Sequence, residues 1–316
     1  MHVGLFKRHS SLFIVYMILV LLILATGLLS DVFFTFRNLE NLLRQVPPLG
    51  FVSIGQTFAI LTAGIDLSIG SVVSMASVLT TGIIQGQENL VFPVLVLVFG
   101  LALLIGFING MVISKTGVHP LIVTLGMMSV VQGGILLYTK APTGSVPLSF
   151  DFIAWGNVLL FNTVRIPFPI LLLAGVAAIA IVFLRLTVFG RYVYATGGNE
   201  EVARLSGIKT DRVKVIVYMI CSFTASLTGI MLASRMGMGD PLVGERYMLD
   251  SIIPVLIGGT RLTGGVGGVG GTVGGILIFI ILSNALNLLD VTAYWQWIAE
   301  GLVVIVSVSL YFRQKR

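Results

Sequence analysis

The chain has 316 residues, 56% hydrophobic and 10% charged, with a mean hydropathy of +1.04; soluble domains carry about 25% charged residues, so a water-soluble fold is excluded. The formal charge of +6 lies between apolar runs and not on a polar face, which argues for membrane orientation and against nucleic-acid binding. The single cysteine, Cys221, excludes an internal disulfide, and His2, His9 and His119 are too scattered for a clustered metal site.

In chain order, Lys7 and Arg8 precede an apolar run at 12–30 that lacks a small-x-small cleavage site and reads as a retained first helix. Further apolar segments follow at 46–64, 66–85, 92–114, 119–138, 167–186, 213–234, 248–259, 266–285 and 295–312. With about 20 apolar residues needed per crossing, these predict an all-α polytopic membrane protein of about ten transmembrane helices. The eighth segment is short and reads as a broken or re-entrant helix. With the N-terminus inside, Lys7, Arg8, Lys115, Arg185, Arg191, Arg204, Lys209, Arg212, Lys214, Arg261, Arg313, Lys315 and Arg316 face the cytoplasm, against Arg37, Arg44, Lys140, Arg165, Arg235 and Arg246 outside. That bias predicts both termini in the cytoplasm. The chain then forms one membrane domain, 1–316, with a basic cytoplasmic segment at 187–212 and outer segments at 139–166 and 235–247.

The second and third spans carry polar stripes: Ser53, Gln56 and Thr57 share one helical face, and Ser71, Ser74 and Thr81 another. Such residues either tie helices together or line a hydrated path for a polyhydroxylated solute. Asp66 lies between them. A carboxylate at membrane depth needs a cation, for which Arg261 is the candidate; near the surface it caps the next helix beside Ser68. Two internal matches conflict. LTAGIDLSIG (61–70) aligns with LIGGTRLTGG (256–265), setting Asp66 opposite Arg261, and Asn109 and Gly126 align with Asn284 and Gly301; one implies a parallel repeat and the other an inverted one.

In YATGGNEEVARLSGIKTDRVK (194–214), Asn199 is an N-cap, Glu200 and Glu201 sit in the first turn, and Gly207 closes the helix. Thr210 or Asp211 then caps the next span. A helix of about two turns is not stable alone and must dock. Val202 and Leu205 give it an apolar edge, and Glu201 and Arg204 offer charge. The run GGTRLTGGVGGVGGTVGG (258–275) is no phosphate loop, since GxxxxGK[ST] is absent; its glycines read as small-xxx-small helix packing.

Four long motifs occur in order: GQTFAILTAGIDLSIGS, GFINGMVISKTGVHPLIVTLG, ATGGNEEVARLSGI and IPVLIGGTRLTGGVGGVGGTVGG. On these the chain resembles the permeases of ribose, xylose, arabinose and galactose ATP-binding-cassette importers, a group that includes autoinducer-uptake permeases. The resemblance implies a non-catalytic subunit in the bacterial inner (plasma) membrane. Its partners would be a second copy or sister permease, a cytoplasmic ATPase that uses ATP and Mg, and an extracytoplasmic solute-binding protein. No cofactor is then expected on this chain. It implies coupling to the ATPase through Asn199, Glu200, Glu201, Arg204, Leu205 and Gly207, with Gln56, Thr57, Asp66, Ser68, Ser71, Ser74 and Arg261 along the translocation pathway or gate. An ion-coupled transporter using Asp66 is the alternative, and a membrane-embedded enzyme lacks converging catalytic groups at depth.

Overall fold

The computed structural model describes residues 2–160, 164–292, 294–298 and 301–302. Its helices are α1 (His2–Leu29), α2 (Phe36–Leu61), α3 (Ile69–Ile84), α4 (Glu88–Thr116), α5 (Pro120–Tyr138), the short α6 (Phe152–Trp155), α7 (Phe168–Leu186), α8 (Val188–Gly198), α9 (Glu200–Leu205), α10 (Thr210–Met236), α11 (Glu245–Asp250), α12 (Ile252–Ile257) and α13 (Val269–Leu288). Six of these, α1, α4, α5, α7, α10 and α13, are long and apolar enough to cross a membrane. The protein is a helical polytopic membrane protein. Most of the tenth apolar segment, 295–312, lies outside the described residues, as do Arg313, Lys315, Arg316 and the side chains of Lys7 and Arg8.

Burial sorts the spans into an inner and an outer set. In α10, 67% of the span is buried, and in α13, 61%, whereas α1, α4, α5 and α7 bury 11–28% and leave apolar faces for lipid. The long α10 runs through the centre, packed by α4, α2 and α3. Small residues make this possible: a side chain at Gly106 or Gly110 of α4 would collide with the α10 backbone at Tyr218, Met219 or Val215. Pro47 and Pro48 interrupt the α2 ladder, and Thr228 of α10 donates to the Pro48 carbonyl at 2.8 Å. Neighbouring helices re-satisfy such breaks in a bundle. Asn38 of α2 and Asn284 of α13 exchange two amide hydrogen bonds, 3.2 and 2.9 Å, in a buried pair.

The eighth apolar segment is broken, as expected: residues 248–259 are divided between two six-residue helices, α11 and α12. The segment 139–166, expected on the outside, is largely structured. It holds a 3-10 turn at Leu148–Asp151, α6, and a hairpin in which β1 (Asn157–Leu160) pairs antiparallel with β2 (Val164–Pro167). It joins the segment 235–247 through reciprocal Thr143 and Gly239 backbone bonds, 2.8 and 2.9 Å. The Trp155 indole donates to the Arg235 carbonyl, and the guanidinium of Arg44 lies over its ring.

Candidate functional site

The α2–α3 break is built by local hydrogen bonds. Ala63 takes a left-handed φ of 60°, Gly64 N reaches back to the Ala59 carbonyl at 3.0 Å, and Ala63 N to Ile60 at 2.9 Å. This six-to-one closure frees the chain to turn. Gly64 lies against the Tyr218 hydroxyl, and a β-carbon there would overlap it. Asp66 follows, 0% exposed. Its Oδ1 accepts from Ser68 N at 2.9 Å and Ser68 Oγ at 2.6 Å, while Asn109 of α4 donates to Ser68 Oγ at 2.9 Å. Asp66 thus holds Ser68, the N-cap of α3, by both its backbone N–H and its hydroxyl.

Each of the two placements left open for Asp66 is altered in part. Asp66 is buried within the subunit, and its Oδ1 closes a turn onto Ser68, the N-cap of α3, instead of capping the helix itself. Nor does it pair with Arg261: that side chain is exposed, and Asp66 Oδ2 has no hydrogen-bond partner among the described residues. Gln56 Nε2, Asn109 Oδ1, the Tyr218 hydroxyl and the Ser53 hydroxyl are also buried and unpartnered among them. Such a concentration of unsatisfied groups is unusual in a packed interior.

The structure places the polar stripes inside the subunit. Gln56, Thr57, Ser71 and Ser74 are all buried. Thr57 shares a 2.8 Å hydrogen bond with Thr272 of α13, Ser74 Oγ accepts from Gly244 N at 2.9 Å, and Ser71 Oγ donates to the Ser68 carbonyl at 2.9 Å. Thr57 and Ser74 therefore hold other elements onto α2 and α3.

The glycine run is only partly helical. Residues 258–268 form a loop, and α13 begins at Val269. The small-xxx-small reading holds for Gly271 and Gly275, where a β-carbon would overlap carbonyls of Gly258 and Pro254. Gly264, Gly267 and Gly268 instead serve turns. Gly265 N donates to the Leu61 carbonyl at 2.9 Å, so the loop closes on the end of α2.

A second constellation lies at the opposite pole from Trp155. Asn199 Oδ1 accepts from Val202 N at 3.0 Å, opening α9, and Gly207 ends it at φ +83°. Thr210 and Asp211 do not cap α10, whose N-cap is Lys209. They are occupied by Arg204, which reaches Thr210 Oγ1 (3.2 Å), Asp211 (3.2 Å) and Glu200 (3.3 Å). Glu200 also binds Lys214 at 2.6 Å, and Asp211 binds Lys115 at 3.2 Å. Glu200 and Arg204 are thus internal braces. Val202 (56% exposed) and Leu205 (83%) project outward beside the exposed Glu201.

Asn109, Tyr218 and α8 were missed by sequence reasoning. Asn109 carried a signal, because Gly106 and Gly110, three before and one after, put it on the face that meets α10. Thr187, whose hydroxyl accepts from Gly190 N at 3.1 Å, marked the start of α8. Nothing in the sequence marked Tyr218.

Residues 38–308 match the family described as branched-chain amino acid transport system / permease component. The chain belongs to this permease family. Among its relatives, the ribose import permease protein RbsC of Bacillus subtilis is 39% identical over 92% of this chain and 90% of its own length. That of Haemophilus influenzae is 37% identical over the same shares. The L-arabinose transport system permease protein AraH of Escherichia coli is 34% identical over 91% of this chain and 86% of its own length. No solved structure gives a significant match.

Proposed function

We propose that this family member is the permease subunit of an ATP-driven importer for a sugar or sugar-like solute, in the bacterial inner membrane, with about ten spans and both termini in the cytoplasm. The observation that carries the reading is end-to-end likeness to import permeases whose names specify ribose and arabinose. The family description names branched-chain amino acids. The relatives named for sugars cover 91–92% of this chain and are the more specific guide to the solute.

In this reading α9 is the lever on which a separate ATPase acts, using ATP and Mg. Val202, Leu205 and Glu201 supply its contact surface, and Asn199, Glu200, Arg204 and Gly207 hold it in shape. A solute-binding protein docks on the outer segments, and a second copy or sister permease completes the path. Asp66 and Ser68 fix the α2–α3 break. Gln56, Thr57, Ser71 and Ser74 transmit its movement as a gate, and Arg261 belongs to the adjoining glycine loop. The test is uptake of labelled ribose, arabinose and leucine by cells with and without the chain. Loss of sugar uptake alone supports the proposal, and loss of leucine uptake alone refutes it.

A further inference from the structure

A cavity of about 350 Å³ lies beside the glycine loop that closes on the end of α2, and its walls include Leu12, Arg185, Tyr194, Arg261, Gly268 and Gly270. It is within the range of small-ligand pockets, roughly 300–1,000 Å³. Three apolar segments meet their limit around it: that of α1 begins after Ser10 and Ser11 in the sequence, that of α7 ends at Leu186 and that of α13 begins at Val269. The cavity therefore sits at the level of lipid headgroups. Two guanidinium-bearing residues line it, with no Asp or Glu among the described lining residues. Its walls are pinned: the Tyr16 hydroxyl donates to the Gly270 carbonyl at 2.9 Å and the Tyr194 hydroxyl to the Gly267 carbonyl at 3.0 Å. On the membrane side the neighbouring surfaces of α1 and α7 are apolar and open, with Phe13, Val182 and Leu186 exposed.

We infer that this cavity binds the phosphate headgroup of an anionic phospholipid, with its acyl chains along α1 and α7. Charge complementarity supplies the anion preference, since Arg forks match phosphate oxygens. Depth and the adjoining apolar faces select a lipid over a free phosphate. The inference stands on the membrane reading alone and is independent of the solute carried.

The test uses the full chain in mild detergent, with bound phosphatidylglycerol and phosphatidylcholine counted by native mass spectrometry from an equimolar mixture. The unaltered chain is expected to retain phosphatidylglycerol preferentially. Arg185→Gln with Arg261→Gln is expected to lower that preference roughly 30-fold, about fivefold for each arginine near a charged surface. Arg165→Gln, in the hairpin at the other pole, leaves it unchanged. Equal preference in the double variant overturns the site, and binding of inorganic phosphate with no preference for phosphatidylglycerol overturns the lipid assignment. If the double variant does not fold, Leu12→Trp in an otherwise unaltered chain reports instead. Brominated phosphatidylglycerol is then expected to quench the added fluorescence more than brominated phosphatidylcholine, and equal quenching overturns the inference.

Discussion

Asp66 shows how one carboxylate sets a helix break inside a membrane bundle. Its Oδ1 holds both donors of Ser68, and Ser68 in turn receives Asn109, so the α2–α3 linker, the start of α3 and α4 meet at a single hydroxyl. Asp66→Asn keeps an acceptor for Ser68 but removes the charge that holds the N-cap of α3. We expect uptake to be abolished while the amount of permease in the membrane and its assembly stay at the unaltered level, as measured by labelled-sugar uptake and quantitative blotting. Near-normal uptake with normal assembly would remove Asp66 from the gate. Arg261→Gln, in contrast, should leave most of the uptake intact, because Arg261 is exposed and does not meet the carboxylate; a loss matching that of Asp66→Asn would restore the pair expected from sequence. Ser68→Ala strands the Asn109 amide and one Asp66 bond. It should lower stability by about 1–3 kcal/mol, read as a reduced melting temperature of the purified chain. The position of Asp66 beside Ser68 was legible in the sequence because an N-terminal carboxylate is a local signal. Its burial and the bond that Asn109 makes to Ser68 were not, since they depend on how closely α4 packs against its neighbours.

At the scale of elements, α9 was the most legible part of the chain and the glycine run among the least. Every feature that shapes α9 lies within its own segment: the Asn199 cap, the acids of the first turn and the Gly207 stop. The braces were invisible, because Lys115 is distant in sequence and Lys214 belongs to the next span. They alter the choice of test. Replacing Glu200 and Arg204 would loosen the seat of α9 as well as any partner contact, whereas Val202 and Leu205 touch solvent. Val202→Asp with Leu205→Asp is therefore expected to leave the melting temperature of the chain nearly unchanged and to reduce co-purification of the ATPase by roughly 30-fold or more, the effect of losing a principal interface contact. Retention of the ATPase with normal transport would show that α9 is not the docking element. The internal match at 61–70 and 256–265 falls on two helix ends closed by the same turn. That turn also closes α9, where Ile208 N meets Ala203 O and Gly207 N meets Arg204 O, so it does not by itself mark a repeat. Gly64 N to Ala59 O and Ala63 N to Ile60 O recur as Thr260 N to Val255 O and Gly259 N to Leu256 O. The equivalence is displaced by one residue from the sequence match, so Asp66 does not fall opposite Arg261.

Across the whole molecule, two poles separate the charges as their distribution in the sequence predicts. Arg44, Arg235 and Trp155 gather at one end, and Lys115, Arg204, Asp211 and Lys214 at the other. Which end faces the cytoplasm follows from the basic excess around α8 and α9 and is open to direct measurement. The chain has one cysteine, Cys221, which is 0% exposed in the middle of α10. It should be silent to a membrane-impermeant maleimide, so single reporters can be added without a cysteine-free background. Lys140 lies in the segment 139–166 and Lys209 between α9 and α10, and both are exposed. In intact spheroplasts, Lys140→Cys is expected to label and Lys209→Cys to remain unlabelled until the membrane is opened, after which the two should react alike. The reverse order would invert the protein and place α9 outside, beyond the reach of a cytoplasmic ATPase. Labelling of both before permeabilisation would mean that the reagent had crossed the membrane, a condition that an unchanged signal from a soluble cytoplasmic thiol protein excludes in the same sample.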